Sequence, residues 1–423
     1  MQKPYYERLE LSVLILFILS PIFTSILNSN TIEYYEIQAQ TIYFYCHVIT
    51  PLIGMLTILL LFFRVKNRQP PFYSSCNAYI FFLTLCVYCL ISTTITGWSN
   101  YALVGDLYRN ESVFTQLSYF IVFFFVSSQV KSLYFRRILI DAIIAVSVLI
   151  IPYSFWLWGH IVNSISLSTS WDPGLIGVFF NINHYGYYLV ISTLLSSGMI
   201  ISENGGKRWL YIFAFIANTV TLSFNNTFGA WLAISLALLV QILLYRFKDQ
   251  SRIKWAVISF LLFIFTTAIT GFWTKNVFHS IIRLIQDILL ITSNSPNAGK
   301  AGSSRWEIWA GTISMIKQKP LFGWGMEGIM RFDKVKFVGN DRPHNEYLQY
   351  AVFYGIPVAI LYIAGCVSVM VNGIGSKRKD MLHYAIWIAS VGYMISAFFG
   401  NTMFYTTPYF FICLGLTLGS SKE

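Results

Sequence analysis

A short polar segment near the C-terminus carries the residue types best suited to chemistry. Residues 342–348 read RPHNEYL, and an apolar run begins at about Tyr347. The segment places an arginine, a histidine and a carboxamide where a long polar loop meets a hydrophobic helix. Histidine is the side chain that titrates near neutral pH, and at a membrane junction it can act on a lipid-borne substrate. His344 is therefore the first candidate for acid–base catalysis; a helix-capping or interfacial role is the alternative.

A second candidate, Arg305, lies at the predicted start of a helix. Residues 304–307, SRWE, have the spacing of a capping box, and the helix should end before Pro320. In the first helical turn, the positive end of the helix dipole favours an anion. A guanidinium there can bind phosphate through two parallel hydrogen bonds. An arginine that anchors the chain at a membrane surface is the alternative reading.

Composition predicts that membrane helices position these residues. The chain of 423 residues is 56% hydrophobic and 11% charged, with a mean hydropathy of +0.60, whereas soluble domains carry roughly 25% charged residues. We predict one all-α polytopic membrane domain over residues 1–423. The first apolar run lacks a signal-peptide cleavage site, so we expect it to be the first span. Segments of the ~20 residues needed to cross a bilayer give about twelve spans, at 11–27, 42–63, 77–98, 114–130, 138–158, 183–202, 209–224, 227–245, 255–273, 347–371, 382–400 and 403–419.

Basic residues predict the orientation, because short cytoplasmic loops retain Lys and Arg. With both termini in the cytoplasm, 18 of the 29 basic residues fall on the cytoplasmic side, and the short outer loops contain only Arg109. The net charge of +11 is thus explained mostly by the basic residues of the cytoplasmic loops, and it does not indicate a nucleic-acid partner. Asp141 is the one clear acidic residue within a predicted span, whereas ion-coupled transporters usually have several charged residues near the middle of the bilayer. Transport is therefore disfavoured.

The other ten basic residues fall in one long outer loop, 274–346, between the ninth and tenth spans. We expect this loop to be partly helical and to bind something anionic. Its first part, 277–292, suits an amphipathic helix lying in the membrane interface, and a cover over the helix bundle is the alternative. The apolar face of this helix would comprise Phe278, Ile281, Ile282, Ile285, Ile288 and Leu289. Further along, 323–328 (GWGMEG) formally matches a nucleotide-binding pattern, but no strand precedes it, so we expect a tight turn.

In combination these motifs resemble the O-antigen ligase and O-antigen polymerase superfamily. The resemblance rests on five segments in order: 177–186 (GVFFNINHYG), 304–309 (SRWEIW), 320–325 (PLFGWG), 344–349 (HNEYLQ) and 354–357 (YGIP). Two departures stand out. Ligases of the family have a further arginine at the start of the span that here reads 223–231 (SFNNTFGAW), and Phe353 stands where an acid is common. Asn225 offers only neutral hydrogen bonds in place of that arginine.

The resemblance implies a metal-independent, inverting glycosyltransferase on the outer face of a bacterial plasma membrane, without a cofactor. The donor would be a glycan on undecaprenyl diphosphate, and the acceptor a sugar hydroxyl on a glycan or lipid-linked glycan. Membrane lipids and other polysaccharide-assembly proteins are the further partners implied. His344 would activate the hydroxyl and Arg305 would stabilise the diphosphate. The residues implied around the diphosphate or the histidine are Arg342, Asn345, Arg331, Lys300, Lys275 and Asn225.

Three functions remain open at this stage. A ligase moves a finished polymer to a different acceptor, and a polymerase extends a chain by repeat units. The two share catalytic parts, so only the acceptor separates them. A polytopic transporter is the third hypothesis, which the scarcity of charges within the spans disfavours.

Overall fold

A computed structural model describes most of the chain. The described residues are 3–27, 48–68, 76–105, 111–129, 132–164, 174–179, 181–274, 276–293, 298–302, 304–326, 342–375 and 381–418. Every regular element in these ranges is a helix. The predicted all-α fold class is confirmed for the described part of the chain.

Sixteen α-helices of more than one turn organise these residues. In chain order they are α1 (Lys3–Leu27), α2 (Thr50–Lys66), α3 (Ala78–Thr96), α4 (Val113–Gln129), α5 (Leu133–Leu149), α6 (Ile151–Ser164), α7 (Ile182–Ser202), α8 (Lys207–Asn225), α9 (Phe228–Lys248), α10 (Ile253–Thr274), α11 (Asn276–Thr292), α12 (Arg305–Gln318), α13 (Glu346–Tyr354), α14 (Ile356–Gly375), α15 (Met381–Ser396) and α16 (Thr407–Leu418). Shorter helical turns lie at Asn100–Leu103, Gly177–Phe179, Gln250–Arg252 and Ala298–Lys300.

Length and hydropathy identify a multi-pass membrane protein. Six described stretches are long and apolar enough to cross a bilayer: Ala78–Thr96, Leu133–Val162, Ile182–Ser202, Phe228–Lys248, Gln250–Phe272 and Ile356–Gly375. Four shorter apolar helical stretches accompany them, at Leu11–Ile26, Val113–Ser128, Met381–Ser396 and Thr407–Leu418. A helix occurs at each of the twelve predicted positions, but the count of twelve spans is not confirmed.

The centre of the bundle is α7, which is buried along almost its whole length. It packs closely against α15, because small residues let the two backbones approach. A Cβ atom on Gly198 would lie 2.2 Å from the Cβ of Ala385, and one on Gly392 would lie 2.0 Å from Leu194. The polar segments described below are therefore supported by a tightly packed pair of helices.

Asp141 belongs to an ion-pair network at the end of the bundle that the basic residues predict to be cytoplasmic. Arg137 donates to both carboxylate oxygens of Asp141, at 3.2 and 3.1 Å, and also to Glu203. Tyr211 accepts from Arg137 and donates to Asp141. This acid thus joins α5, α7 and α8, as a structural ion pair does.

Helix boundaries differ from the sequence expectation where glycine or asparagine turns the chain. The predicted span 347–371 is two helices, α13 and α14, because Gly355 has a φ of +100° and breaks the run. The close spacing of α8 and α9 is possible because Asn226, at φ +63°, makes a left-handed turn.

Candidate active site

The segment that carries His344 is held in shape by the start of α13. The Asn345 side chain caps this helix, accepting the backbone N–H of Leu348 at 3.0 Å. His344 just before it has a φ of +49°, in the left-handed region that non-glycine residues rarely adopt. Such strained positions persist where the surroundings enforce them, and they concentrate at functional sites. The imidazole itself is only partly buried.

Arg342 lies beneath this segment in a fully buried ion pair. Its Nη1 lies 2.6 Å from Oε2 of Glu111, and neither side chain is exposed. Glu111 also accepts the Tyr119 hydroxyl at 2.7 Å. The guanidinium carbon lies 5.3 Å from the ring centroid of Phe353. The buried pair therefore ties the segment before α13 to the residues that precede α4.

A polar turn between α15 and α16 completes the network around His344. The Thr402 hydroxyl donates to Glu111 at 3.3 Å and accepts from Gln349 at 2.6 Å. Beside it, Nδ2 of Asn401 lies 3.5 Å from Nδ1 of His344. The imidazole is thus positioned from two directions, by its own backbone turn and by Asn401.

Helix α12, which begins with Arg305, contacts the His344 segment one helical turn further along. The helix begins at Arg305 and ends at Gln318, as predicted. Trp309, on the same face as Arg305, donates from Nε1 to the carbonyl oxygen of Pro343 at 3.0 Å. The capping-box prediction is wrong in detail, because Ser304 is left-handed, with φ +67°, and makes no side-chain cap.

A tyrosine near the start of α7 lies close to charged residues of α12 and α13. Both Arg305 and Glu346 exert an electrostatic effect on the Tyr187 hydroxyl, near the start of α7. Tyr187 donates to the carbonyl oxygen of Phe399 at 2.5 Å, so α7 also contacts the turn that carries Asn401. Arg305 therefore shares its surroundings with the His344 segment.

The glycine-rich segment forms the predicted tight turn and fixes α12 to the end of α13. Gly323 and Gly325 have φ values of +63° and +82°. The backbone N–H groups of Trp324 and Gly325 donate to the carbonyl oxygens of residues 352 and 353, both at 2.9 Å. A Cβ atom on Gly355 would lie 1.8 Å from the carbonyl oxygen of Leu321, so only glycine fits at this approach.

Glu346 is an unusual acid at the start of α13, before the span Ile356–Gly375. It is buried and accepts hydrogen bonds from the hydroxyls of Tyr362 and Tyr393. Burial raises the pKa of the Glu346 carboxyl to about 7, although the two hydroxyl donors oppose this shift. Its backbone N–H donates to the carbonyl of Ala397 at 2.9 Å. Glu346 thus couples α13 to α14 and α15.

Asn225 lies at the same end of the bundle, but its amide is used within the protein. It is fully buried, and Nδ2 donates to the carbonyl oxygens of Leu175 and Ile182, at 2.6 and 2.9 Å. The start of α7 is also capped by Asn181, whose Oδ1 accepts the backbone N–H of Asn183 at 2.9 Å. The Asn225 amide thus holds the entrance to α7.

The structure brings four of the predicted site residues into one region, namely His344, Asn345, Arg342 and Arg305. Lys300 is exposed, one short turn before α12. Lys275 and Arg331 lie outside the described residues.

Three residues of the region were missed by sequence reasoning: Glu111, Asn401 and Thr402. Each is a polar residue in a short connection between apolar segments, and that pattern is common in membrane proteins. Only the tertiary pairing with Arg342 and His344 distinguishes them.

Comparison with known proteins supports the resemblance seen in the motifs. Residues 213–363 match the family model described as O-antigen ligase. This range includes α12, the glycine turn and the His344 segment. No curated protein matches the chain.

Proposed function

We propose, from the premise that this chain belongs to the O-antigen ligase superfamily, that it is a membrane glycosyltransferase of ligase type. It transfers a glycan from undecaprenyl diphosphate to the hydroxyl of an acceptor sugar during cell-surface polysaccharide assembly. A repeat-unit polymerase is the alternative within the same superfamily. In both, the donor diphosphate and the acceptor meet at the outer end of the bundle.

The chemistry we propose needs one base and one cation. As the acceptor oxygen attacks C1 of the donor sugar with inversion, His344 takes the hydroxyl proton. The bond between C1 and the phosphate oxygen breaks, and undecaprenyl diphosphate leaves with the electron pair. Arg305 and the positive end of α12 stabilise the charge that develops on the leaving group. We propose that this step needs no metal.

The remaining polar residues hold these two groups in place. Arg342 is buried and already paired with Glu111, so we assign it to shaping the loop and not to contact with the diphosphate. Asn345 caps α13 and fixes the backbone next to His344. Asn225 supports the start of α7 through its hydrogen bond to Leu175. Lys300 is exposed, and we place it near the diphosphate. Lys275 and Arg331 remain proposed helpers.

One observation carries the proposal: the hydrogen bond from Trp309 Nε1 to the Pro343 carbonyl oxygen, at 3.0 Å. It joins the helix that begins with Arg305 to the residue before His344. A general base and a diphosphate-binding cation must both reach the same reacting sugar. The Trp309 hydrogen bond joins α12, which begins with the proposed cation, to the segment that contains the proposed base.

The test uses a deletion strain of the bacterium that encodes the protein. The strain is complemented with wild type, His344→Ala or Arg305→Ala, and membrane expression of each variant is confirmed. His160→Ala and Arg246→Ala serve as matched controls, because both residues are exposed and lie outside the site. Surface polysaccharide is analysed by gel mobility and linkage analysis.

The outcomes separate the hypotheses. We expect both site variants to lose the mature glycan and both controls to restore it. Accumulation of unattached, lipid-linked full-length polymer identifies a ligase, and accumulation of single repeat units identifies a polymerase. A normal glycan from both site variants would refute the catalytic roles and return a carrier function to consideration.

A further inference from the structure

Helix α11, at the start of the long loop, presents an exposed aliphatic face. Ile282, Ile285, Ile288 and Leu289 are each between 50% and 60% exposed. They recur at three- and four-residue spacing and therefore lie on one side of the helix. Contiguous exposed aliphatic surface of this kind marks an interaction site.

The opposite side of α11 faces the protein. Leu284, Leu290 and Ile291 are partly buried, and Oδ2 of Asp287 accepts the backbone N–H of Gly302 at 3.0 Å. The helix is thus held to its own protein by one side while the aliphatic side points away. To turn its aliphatic face toward the site, α11 would have to rotate about its own axis and break the hydrogen bond between Gly302 and Asp287.

Continuity with the preceding helix identifies the occupant of the exposed face. α10 ends at Thr274, and α11 begins two residues later, at Asn276. Phe265, Ile269 and Phe272, in the last turns of α10, are 64%, 47% and 77% exposed. In a helix that crosses a membrane, such side chains contact lipid. The aliphatic face of α11 continues this surface at the outer end of the span.

We propose that α11 lies in the outer leaflet, with its aliphatic face among the lipid acyl chains, and that Asp287 transmits this position to the loop before Arg305. Gly302, which Asp287 holds, is three residues before Arg305. The start of α12 is thereby kept at a fixed height above the lipid hydrocarbon. A lipid diphosphate has its phosphates at this height, since its chain is embedded in the same leaflet. The consequence for the diphosphate rests on the proposed function, whereas the lipid contact of α11 does not.

Spin labels test the lipid contact directly. In a variant without native cysteines, reconstituted into phospholipid nanodiscs, a nitroxide is attached at Ile285→Cys, Leu289→Cys or Gln286→Cys. Gln286 is also exposed but points about 100° away from Ile285, and Phe265→Cys supplies the lipid-facing reference. We expect the labels at 285 and 289 to be relaxed mainly by oxygen, as at 265, and the label at 286 mainly by an aqueous nickel complex.

Two results would overturn the lipid contact. If the nickel complex relaxes all three α11 labels equally, the face lies in water. If neither reagent reaches positions 285 and 289, protein covers the face, from a second copy or from a different partner. Both are measured without an activity assay, so failure here is distinguishable from failure of the proposed function.

Hydrogen exchange tests the transmission. Asp287→Ala removes the acceptor of the Gly302 N–H, and we expect amides of the segment 298–306 to exchange severalfold faster in nanodiscs. Gln286→Ala is the matched control and should leave exchange unchanged. Equal exchange in the Asp287→Ala variant and wild type would show that the Asp287 bond does not hold the loop.

Discussion

Removing the acid of the buried Arg342–Glu111 pair should destabilise the protein strongly. In Glu111→Gln the side chain keeps its size but loses its charge, so Arg342 is left as a buried cation. At the observed separation of 2.6 Å, the Coulomb attraction is about 6 kcal/mol for an effective dielectric constant of about 20. The measured loss should be smaller, about 3–5 kcal/mol, as is typical when one partner of a buried pair is removed.

Thermal unfolding of the detergent-solubilised protein measures this loss. Unfolding entropies of about 2.1 cal/mol/K per residue over 423 residues convert it to a fall in Tm of about 3–6 °C. Asp141→Asn is the control, since that pair has side chains 29% and 42% exposed and should shift Tm by less than about 1 °C, as surface pairs contribute little.

The double variant Glu111→Gln/Arg342→Met distinguishes a charge effect from simple loss of packing. Replacing both partners removes the cation as well as the carboxylate, so we expect the double variant to be more stable than Glu111→Gln alone. Arg342→Met alone is measured as well; if its loss and that of Glu111→Gln simply add in the double variant, the ion pair does not hold this region together and the reasoning is refuted.

Three further predictions concern the elements around the site. Trp309→Phe removes the indole donor to the His344 segment. The lost hydrogen bond should cost about 1 kcal/mol and lower Tm only slightly, whereas glycan transfer in membranes should fall more strongly. Transfer activity equal to wild type at equal expression would contradict this prediction. Gly355→Ala should abolish the folded, monodisperse protein in size-exclusion chromatography, because the new Cβ atom would lie 1.8 Å from a carbonyl oxygen. Gly205→Ala is the control: Gly205 has the same φ of +100° but lies in open space, so the substitution should cost only about 1–2 kcal/mol of stability. Burial raises the pKa of Glu346 to about 7, so its contribution to stability is greatest in acid and is lost as the pH rises through about 7. Between pH 5 and 8.5, Tm should therefore fall less in Glu346→Gln than in wild type. Parallel curves of Tm against pH would exclude Glu346 as the cause.

The sequence predicted the elements well because their signals are local. Apolar run length identified helical segments, and the start and end of α12 followed from residues within one turn. The glycine turn at 323–325 was also predicted correctly, since backbone conformation there depends on residue type. The break at Gly355 was missed because hydropathy runs through it without interruption.

Pairings between distant segments were beyond sequence reasoning. Arg342 was expected near the diphosphate, yet its guanidinium is buried against Glu111 and the ring of Phe353. Phe353 was noted as a departure from the family pattern, and its ring packs against the Arg342 guanidinium, whose acidic partner Glu111 comes from before α4. Nothing near Glu111 in the sequence indicates this partnership, because it depends on how α4 and α13 pack.

The Glu111–Arg342 pair also constrains how the protein is made. The two residues are separated by 231 positions, so at about 5–20 residues per second the ribosome completes the arginine about 10–50 s after the glutamate. Until then the Glu111 carboxylate lacks this partner and must stay in contact with water at the membrane surface. A fragment limited to 213–363 would likewise contain Arg342 and His344 without Glu111, Asn401 or Thr402. The matched family segment therefore lacks residues that contact Arg342 and His344, and these contacts are complete only once the turn between α15 and α16 has been made.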